Sequence, residues 1–275
     1  MINLKEKHNT KQLSSSAINS HISSLNNILK YVEKQELHIK ASDYNLSRKF
    51  NDSENKENTR ESAQKFKEWL NKKYTETGRI GYKALQHAVN IQSVNLRLRE
   101  SLAVKLLNKD LSNNILQITD KKGAGKWDGS KNTRPREIKL SEEQKMVLLE
   151  ARDFLKQNRL TNLNTHKTLK AGKTWAQNIL KKYRKETNNP YFHYHGERHW
   201  QAHQAYKESW QASGYNNIEC RARLEISDKK EWMAQMIQQT GLSRAEFIKI
   251  EREIRYSISQ SLGHERISIT NRYLG

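Results

Sequence analysis

Cysteine, proline and glycine are all scarce in this chain of 275 residues. The one cysteine, Cys220, cannot form an intramolecular disulfide and fits a reducing cytoplasm. Only two prolines, Pro135 and Pro190, and 11 glycines interrupt the chain, which indicates a mostly helical protein. No apolar run approaches the roughly twenty residues that a membrane span needs, and residues 1–5 lack the start of a signal peptide. We therefore expect a soluble, cytoplasmic protein.

Acidic residues are also in short supply. The chain has 50 Lys and Arg against 30 Asp and Glu, a formal net charge of +20. Solubility does not require such an excess of positive charge. The excess fits binding to a partner that carries a dense line of phosphates. The alternatives are a ribosomal-type protein and a protein with a basic tail. The basic residues run through the whole chain instead of forming one block. The composition therefore favours a folded protein that surrounds DNA over a protein with a basic tail.

The first part of the chain contains two patterns typical of amphipathic helices. Apolar residues recur three and four positions apart between residues 11 and 36. A second helix is predicted from a further apolar set: Ala63, Phe66, Trp69 and Leu70. We interpret residues 1–76 as a small helical domain with a hinge at residues 75–78. A plain helical hairpin with no role in DNA binding is the alternative.

Residues 77–275 are predicted to form a second, larger domain. A helical period runs through residues 82–107 and then changes to the pattern of short strands at 115–118 and 136–140. The strands flank a loop that contains glycines, which predicts a β-hairpin. Another helix is predicted to open at Ser141, Glu142 and Glu143, and helical patterns continue to the end of the chain. The predicted fold class is mainly α with a small β-hairpin.

Four short motifs carry residues suited to DNA strand transfer. They are Leu-Arg-Leu-Arg-Glu at residues 96–100, Ser-Lys at 130–131, His-Gly-Glu-Arg at 195–198 and Leu-Gly-His at 262–264, whose histidine stands nine positions before Tyr273. In this order they resemble the signature of the tyrosine recombinases, the phage-integrase family. The resemblance covers most of the second predicted domain, and the first matches only by position and helicity. It implies a recombinase catalytic domain preceded by a small, core-binding-like domain that clamps DNA.

The resemblance implies a nucleophilic role for Tyr273. A phenolate can hold the phosphodiester in a reversible phosphotyrosyl link, and guanidinium groups neutralise the charge on its oxygens. Arg97 is the first such guanidinium in the resemblance, with Glu100 as the acid that orients it. Arg99 is the rival to Arg97. An aromatic side chain that anchors the last helix is the alternative reading of Tyr273.

Lys131 is the lysine that the resemblance assigns as general acid for the leaving 5′-oxygen. In the resembled enzymes this lysine lies on a β-hairpin that reaches the minor groove. Lys122 and Lys126 share the same predicted loop. The alternative for each lysine is contact with backbone phosphates from a basic loop.

The resemblance gives two histidines and a second arginine supporting roles. Arg198 would be the second charge clamp, and His195 would assist proton transfer from Tyr273, with both expected on one helical face because they are three residues apart. His264 would donate a hydrogen bond to the phosphate, with Gly263 forming a tight turn at a helix start. A helix cap is the alternative for His264.

A metal site is a competing interpretation of the histidine-rich stretch. His195 and His199, or His199 and His203, stand four residues apart and could hold one ion on a helix. A zinc protease would need a glutamate after the first histidine, where Gly196 stands, and no second cysteine is available. We therefore expect no metal and no other cofactor.

The stretch between Arg198 and His264 is longer than expected for a compact family member. Residues 206–258 are therefore expected to hold an extra helical element.

Taken together, the resemblance predicts a site-specific DNA recombinase or integrase of a mobile element. It would cut and rejoin double-stranded DNA through a 3′-phosphotyrosyl intermediate, without metal or ATP. Two duplexes with two cuts each imply a homotetramer on a specific recombination site, with accessory DNA-bending proteins as further partners and a nucleoid-associated, cytoplasmic location. The alternatives are a catalytically silent DNA-binding protein of the same fold and an enzyme like the type IB topoisomerases.

Overall fold

The computed structural model describes residues 15–40, 57–118, 136–189, 191–226, 228–264 and 266–275. Over this part the chain is mainly helical, with one two-stranded antiparallel hairpin, which confirms the predicted fold class. None of the described helices is long and apolar enough to cross a membrane. The α-helices are α1 (Ser15–Tyr31), α2 (Arg60–Thr77), α3 (Ile80–Asn90), α4 (Leu98–Ala103), α5 (Glu142–Gln157), α6 (Leu169–Thr187), α7 (Gly196–Ala212), α8 (Arg221–Leu224), α9 (Lys229–Thr240), α10 (Arg244–Ser261) and α11 (Asn271–Leu274).

The chain divides into two compact units, Met1–Asn51 and Asp52–Gly275. In the first unit, α1 confirms the predicted helix over the described residues and buries Ile18 and Ile22. Apolar residues closer to the end of this helix and just after it are exposed: Leu25, Ile28 and Val32. The expected apolar face is thus buried only in its first half.

The boundary expected near residue 76 stays a prediction, and the structure places helix α2 within the second unit. Helix α2 lies in the second unit because its apolar face joins an aromatic cluster of that unit. The Phe66 ring lies 4.3 Å from the Phe192 ring and 4.9 Å from the Tyr183 ring, centroid to centroid. The indole Nε1 of Trp69 donates a hydrogen bond to Glu186 at 3.1 Å. These contacts span more than a hundred residues of sequence, so helical periodicity alone could not assign α2 to either unit.

The predicted hairpin is confirmed as β1 (Ile115–Ile118) paired with β2 (Arg136–Lys139). The register pairs Ile118 with Arg136 and Ile115 with Lys139. Helix α5 begins after Ser141 as expected, and Ser141 caps it, since its hydroxyl accepts a hydrogen bond from the backbone of the first helical turn. The predicted loop between the strands falls outside the described residues.

Two hydrophobic cores lie within the second unit. The first contains buried residues between positions 63 and 194, and the second contains buried residues between positions 202 and 274. The second core is built by the predicted extra helical segment, which comprises the end of α7 with α8, α9 and α10. Trp210 stacks on Phe247 at 5.1 Å and Trp232 packs against the same ring at 5.8 Å. Tyr273 and Leu274 of α11 are buried in this core, so the extra helices support the short helix that carries the predicted nucleophile.

Candidate active site

The structure brings together every predicted site residue that it describes. They come from four separate segments and are Arg97, Glu100, His195, Arg198, His264 and Tyr273. Most lie at helix ends: the N-terminal ends of α4 and α7, the turn after α10, and the short helix α11. Lys131 and its rivals Lys122 and Lys126 lie outside the described residues, so the lysine assignment stays a prediction.

Arg97 forms the expected ion pair with Glu100. Its Nη1 donates to Oε1 of Glu100 at 2.8 Å, and its backbone N–H donates to Oε2 at 2.8 Å. Nη2 lies 3.3 Å from the carbonyl oxygen of Leu262 and 3.2 Å from Nε2 of His264. The first and last motifs therefore meet at one guanidinium group, as expected for Arg97.

Arg136 is a site residue that the sequence interpretation missed. Its Nη1 and Nη2 donate to the two oxygens of Glu100 at 2.9 and 2.8 Å, in a bidentate pair that lies almost fully buried. The signal that could have identified it is the alternation of β2. Ile138 is buried, and Arg136 two positions earlier points to the same face of the strand.

Arg198 is fully buried and bridges two turns of the backbone. Its Nη2 donates to the carbonyl oxygen of Leu262 at 2.9 Å, and its Nη1 donates to the carbonyl oxygen of Asn95. Nη2 of Arg136 also reaches the Asn95 carbonyl, at 3.3 Å. Three guanidinium groups thus converge on two carbonyl oxygens, which hold them side by side.

His195 and Arg198 both lie at the N-terminal end of α7 and have different contacts. His195 is the N-cap residue, with αR backbone geometry, and Arg198 lies within the first turn of the helix. Arg198 points to the arginine cluster, whereas Nε2 of His195 lies 3.0 Å from the hydroxyl of Tyr273.

Gly263 forms the expected tight turn, with φ of +71°. This turn ends α10 and is not followed directly by an α-helix, so the expected helix start at this point is wrong. A Cβ atom at Gly263 would lie 2.9 Å from Nη1 and 3.0 Å from Cδ of Arg136. Glycine is required here both for the backbone conformation and for the close approach of Arg136.

Positive charge dominates the cluster. Three guanidinium groups, those of Arg97, Arg136 and Arg198, surround the one carboxylate of Glu100. Burial by itself would raise the pKa of Glu100, but the hydrogen bond from Arg136 and the charges of Arg136 and Arg97 lower it to about 2. Burial lowers the pKa of Arg198 to about 10, which leaves it charged at neutral pH. The cluster therefore has the charge to bind an anion such as a phosphodiester.

Tyr273 is 4% exposed, and its surroundings are rich in histidine. Its ring lies 4.7 Å from the ring of His199, and its backbone oxygen lies 2.6 Å from Nε2 of His203. The rings of His195, His199 and His203 follow one another along the start of α7 in T-shaped contacts. In the described part of the chain, no group of three or more His, Cys, Asp or Glu side chains is arranged to hold a metal ion.

No protein-family model matches this chain, and neither a curated protein nor a solved structure shows significant similarity to it.

Proposed function

We propose that this chain is a site-specific DNA recombinase of the tyrosine type, which cuts and rejoins DNA through Tyr273. One observation supports the proposal most: three of the four motifs, far apart in sequence, meet so that a tyrosine hydroxyl with a histidine partner lies in the same site as a buried arginine cluster. Burial lowers the pKa of Arg198 and the nearby Tyr273 raises it, so the two side chains lie close enough to interact. A nucleophile beside an anion-binding cluster is the arrangement that phosphodiester transfer requires.

In the proposed mechanism the Tyr273 oxygen attacks the scissile phosphorus. The Oη–P bond forms as the P–O5′ bond breaks, and the phenolic proton passes to His195. Arg97, Arg198 and His264 donate hydrogen bonds to the phosphoryl oxygens as their charge grows. The departing O5′ takes a proton, a role that the family resemblance assigns to Lys131.

The reaction needs no external energy source, because one phosphodiester is exchanged for another. The 3′-phosphotyrosyl link keeps the bond energy until a 5′-hydroxyl from the partner duplex attacks it and releases Tyr273. The substrate is double-stranded DNA at a specific site, and the net charge of +20 favours this partner. We propose a homotetramer on two duplexes, acting for a mobile element in the cytoplasm.

The experiment that tests the proposal is covalent capture on DNA. A binding site is first selected from random duplexes with the Tyr273→Phe variant, and a nicked suicide duplex with that site is then incubated with wild-type protein in EDTA. We expect a denaturant-resistant protein–DNA species and, when a second site is added, recombinant strands. Tyr256→Phe is the matched control, because Tyr256 is 45% exposed on α10.

Three outcomes would change the proposal. An adduct that persists in Tyr273→Phe would exclude Tyr273 as the nucleophile. Specific binding with no adduct would favour the catalytically silent DNA-binding protein. Relaxation of supercoiled DNA without a partner site would favour an enzyme like the type IB topoisomerases.

A further inference from the structure

The mechanism leaves His203 without a role, although this histidine contacts the predicted nucleophile. Its side chain is buried between two oxygen atoms: Nδ1 lies 2.7 Å from Oε2 of Glu57, and Nε2 lies 2.6 Å from the backbone oxygen of Tyr273. A carboxylate and a carbonyl group both accept hydrogen bonds and cannot donate them. Both ring nitrogens must therefore carry a proton, so His203 is an imidazolium in this arrangement.

Glu57 is itself held firmly. Nη2 of Arg223 donates to its Oε1 at 2.7 Å and Nε donates to its Oε2 at 3.1 Å. Burial alone would raise the pKa of Glu57, but its bonds with His203 and Arg223 lower it to about 2. Burial alone would lower the pKa of His203, but hydrogen bonds with Cys220 and Glu57 raise it to about 10. The charged pair persists across the neutral range.

Helix α11 depends on such contacts from outside. It has only four residues, and an isolated helix of that length is unstable in water. Arg255 holds its two ends, with Nη1 donating to Oδ1 of Asn271 at 3.0 Å and Nη2 donating to the carbonyl oxygen of Gly275 at 3.1 Å. His203 contacts the backbone oxygen of Tyr273 within this helix.

Asn58, the residue after Glu57, holds the loop that carries His195, the hydrogen-bond partner of Tyr273. Asn58 is buried and exchanges two hydrogen bonds with the backbone of His193, each of 2.8 Å. Its own backbone N–H donates to the carbonyl oxygen of Gly196 at 3.4 Å. These contacts bracket His195 on both sides, so two adjacent residues reach both members of the Tyr273–His195 pair.

We propose that Glu57 and Asn58, at the start of the second unit, position the nucleophile: Glu57 acts on Tyr273 through the His203 imidazolium, and Asn58 acts on His195 through its loop. The inference deepens the proposed function and rests on it for the catalytic consequence. Glu57, Asn58 and His203 touch no reacting atom and are positioning residues. A misplacement of a reacting group by about 1 Å can cost about a hundredfold in rate.

The test combines a spectroscopic readout that needs no DNA with a kinetic readout that does. Protein labelled with 3-fluorotyrosine reports the surroundings of Tyr273 by ¹⁹F NMR, with the resonance assigned through Tyr273→Phe. The adduct rate on the suicide duplex is measured in a single turnover, together with DNA affinity and melting temperature. The variants are Glu57→Gln and His203→Gln. Glu186→Gln is the matched control, because it makes the same change at a hydrogen bond to Trp69 of the first core, whereas α11 belongs to the second core.

We expect Glu57→Gln and His203→Gln to shift or broaden the Tyr273 resonance. We also expect them to lower the adduct rate at least about tenfold, with DNA affinity kept within about twofold. Glu186→Gln should leave the resonance and the rate unchanged. If Glu57→Gln fails to fold, Glu57→Asp gives the same readouts, because it keeps the charge and withdraws the carboxylate by one methylene.

The two proposals fail in different ways. If wild type forms the adduct and Glu57→Gln forms it at the same rate, the positioning role is overturned and the function stands. If wild type forms no adduct but Glu57→Gln moves the Tyr273 resonance, the function is overturned and the positioning of Tyr273 stands. An unmoved resonance in both variants overturns the positioning role in either case.

Discussion

At the residue scale, the carboxylate of Glu100 determines where two guanidinium groups lie. It is fully buried and accepts hydrogen bonds from Arg97 and from Arg136. A buried ion group of this kind is strongly destabilising when one member is removed, because the remaining charges stay out of water without compensation.

We predict that Glu100→Gln lowers the free energy of unfolding by about 3–5 kcal/mol at pH 7. The folded-state pKa of Glu100 is lowered to about 2, so its stabilising contribution is present above the unfolded pKa of 4.5 and is lost as pH falls towards 2. The difference from wild type should therefore shrink below pH 4.5. Urea unfolding at pH 7 and pH 3.5 measures this.

The control for this prediction is Glu137→Gln. Glu137 is the exposed neighbour on β2 that accepts a hydrogen bond from Gln117. It should change the free energy of unfolding by no more than about 0.5 kcal/mol at either pH. A difference for Glu100→Gln that does not depend on pH would contradict the assigned ionisation.

The two arginines of the first motif should differ sharply in function. Arg97 reaches Glu100, Leu262 and His264, so Arg97→Gln should lower the adduct rate by about 10²–10³-fold. Arg99→Gln, on the same helix, should lower it less than about threefold. Single-turnover adduct formation with saturating protein measures the rate of each variant. Equal losses of adduct rate in both variants would mean that the motif acts only through its charge.

The sequence singled out most of the residues that the structure brings together, but not the partners that hold them. The Arg97–Glu100 pair could be predicted because its spacing is local. Arg136, His203 and Glu57 could not be predicted from local patterns, because each acts through a contact between distant segments. The assignment of Lys131 stays a prediction.

At the element scale, the turn between α10 and α11 connects the arginine cluster to Tyr273. The carbonyl oxygen of Leu262 accepts hydrogen bonds from Arg97 and Arg198. The positive φ of Gly263 then turns the chain. The helices and the hairpin could be predicted from periodicity. The position of His195 just before α7 could not, because helix starts depend on the backbone of one or two residues.

Two glycines allow the energetic cost of the positive φ at this turn to be separated from the cost of its packing against Arg136. Gly263 and Gly241 have nearly equal φ values, +71° and +68°, but only Gly263 has neighbours within 4 Å of an added Cβ. We predict that Gly241→Ala destabilises the fold by about 1 kcal/mol and that Gly263→Ala destabilises it by about 2–3 kcal/mol, because Arg136 must also move.

Thermal or urea unfolding of both variants tests this prediction. Gly263→Ala should also lower the adduct rate, whereas Gly241→Ala should not. Equal destabilisation by the two substitutions would mean that Arg136 can move away from the added Cβ without loss of stability. The position of Arg136 would then not depend on the turn.

At the scale of the whole molecule, composition was sufficient to predict a mainly helical and strongly basic protein. It did not indicate to which unit helix α2 belongs. Helix α2 joins the second unit because Phe66 and Trp69 pack against residues near position 190. The extra helices between Arg198 and His264 could be predicted from length, but their role in supporting α11 required the structure.

The net charge of +20 predicts a strong dependence of DNA binding on salt. If the protein neutralises six to ten phosphates, raising salt from 50 to 200 mM should weaken binding by about 10³–10⁵-fold. Fluorescence anisotropy with a labelled duplex measures the slope. If DNA affinity did not depend on salt concentration, the protein would not bind DNA through its phosphates.

The most direct test of the central claim is the chemical identity of the protein–DNA link. The adduct from the suicide duplex is digested with protease and nuclease, and mass spectrometry identifies the linked residue and the end of the DNA that carries it. The account predicts Tyr273 joined to a 3′-phosphate, with a free 5′-hydroxyl on the other strand end. A link through another residue, or through a 5′-phosphate, would contradict it.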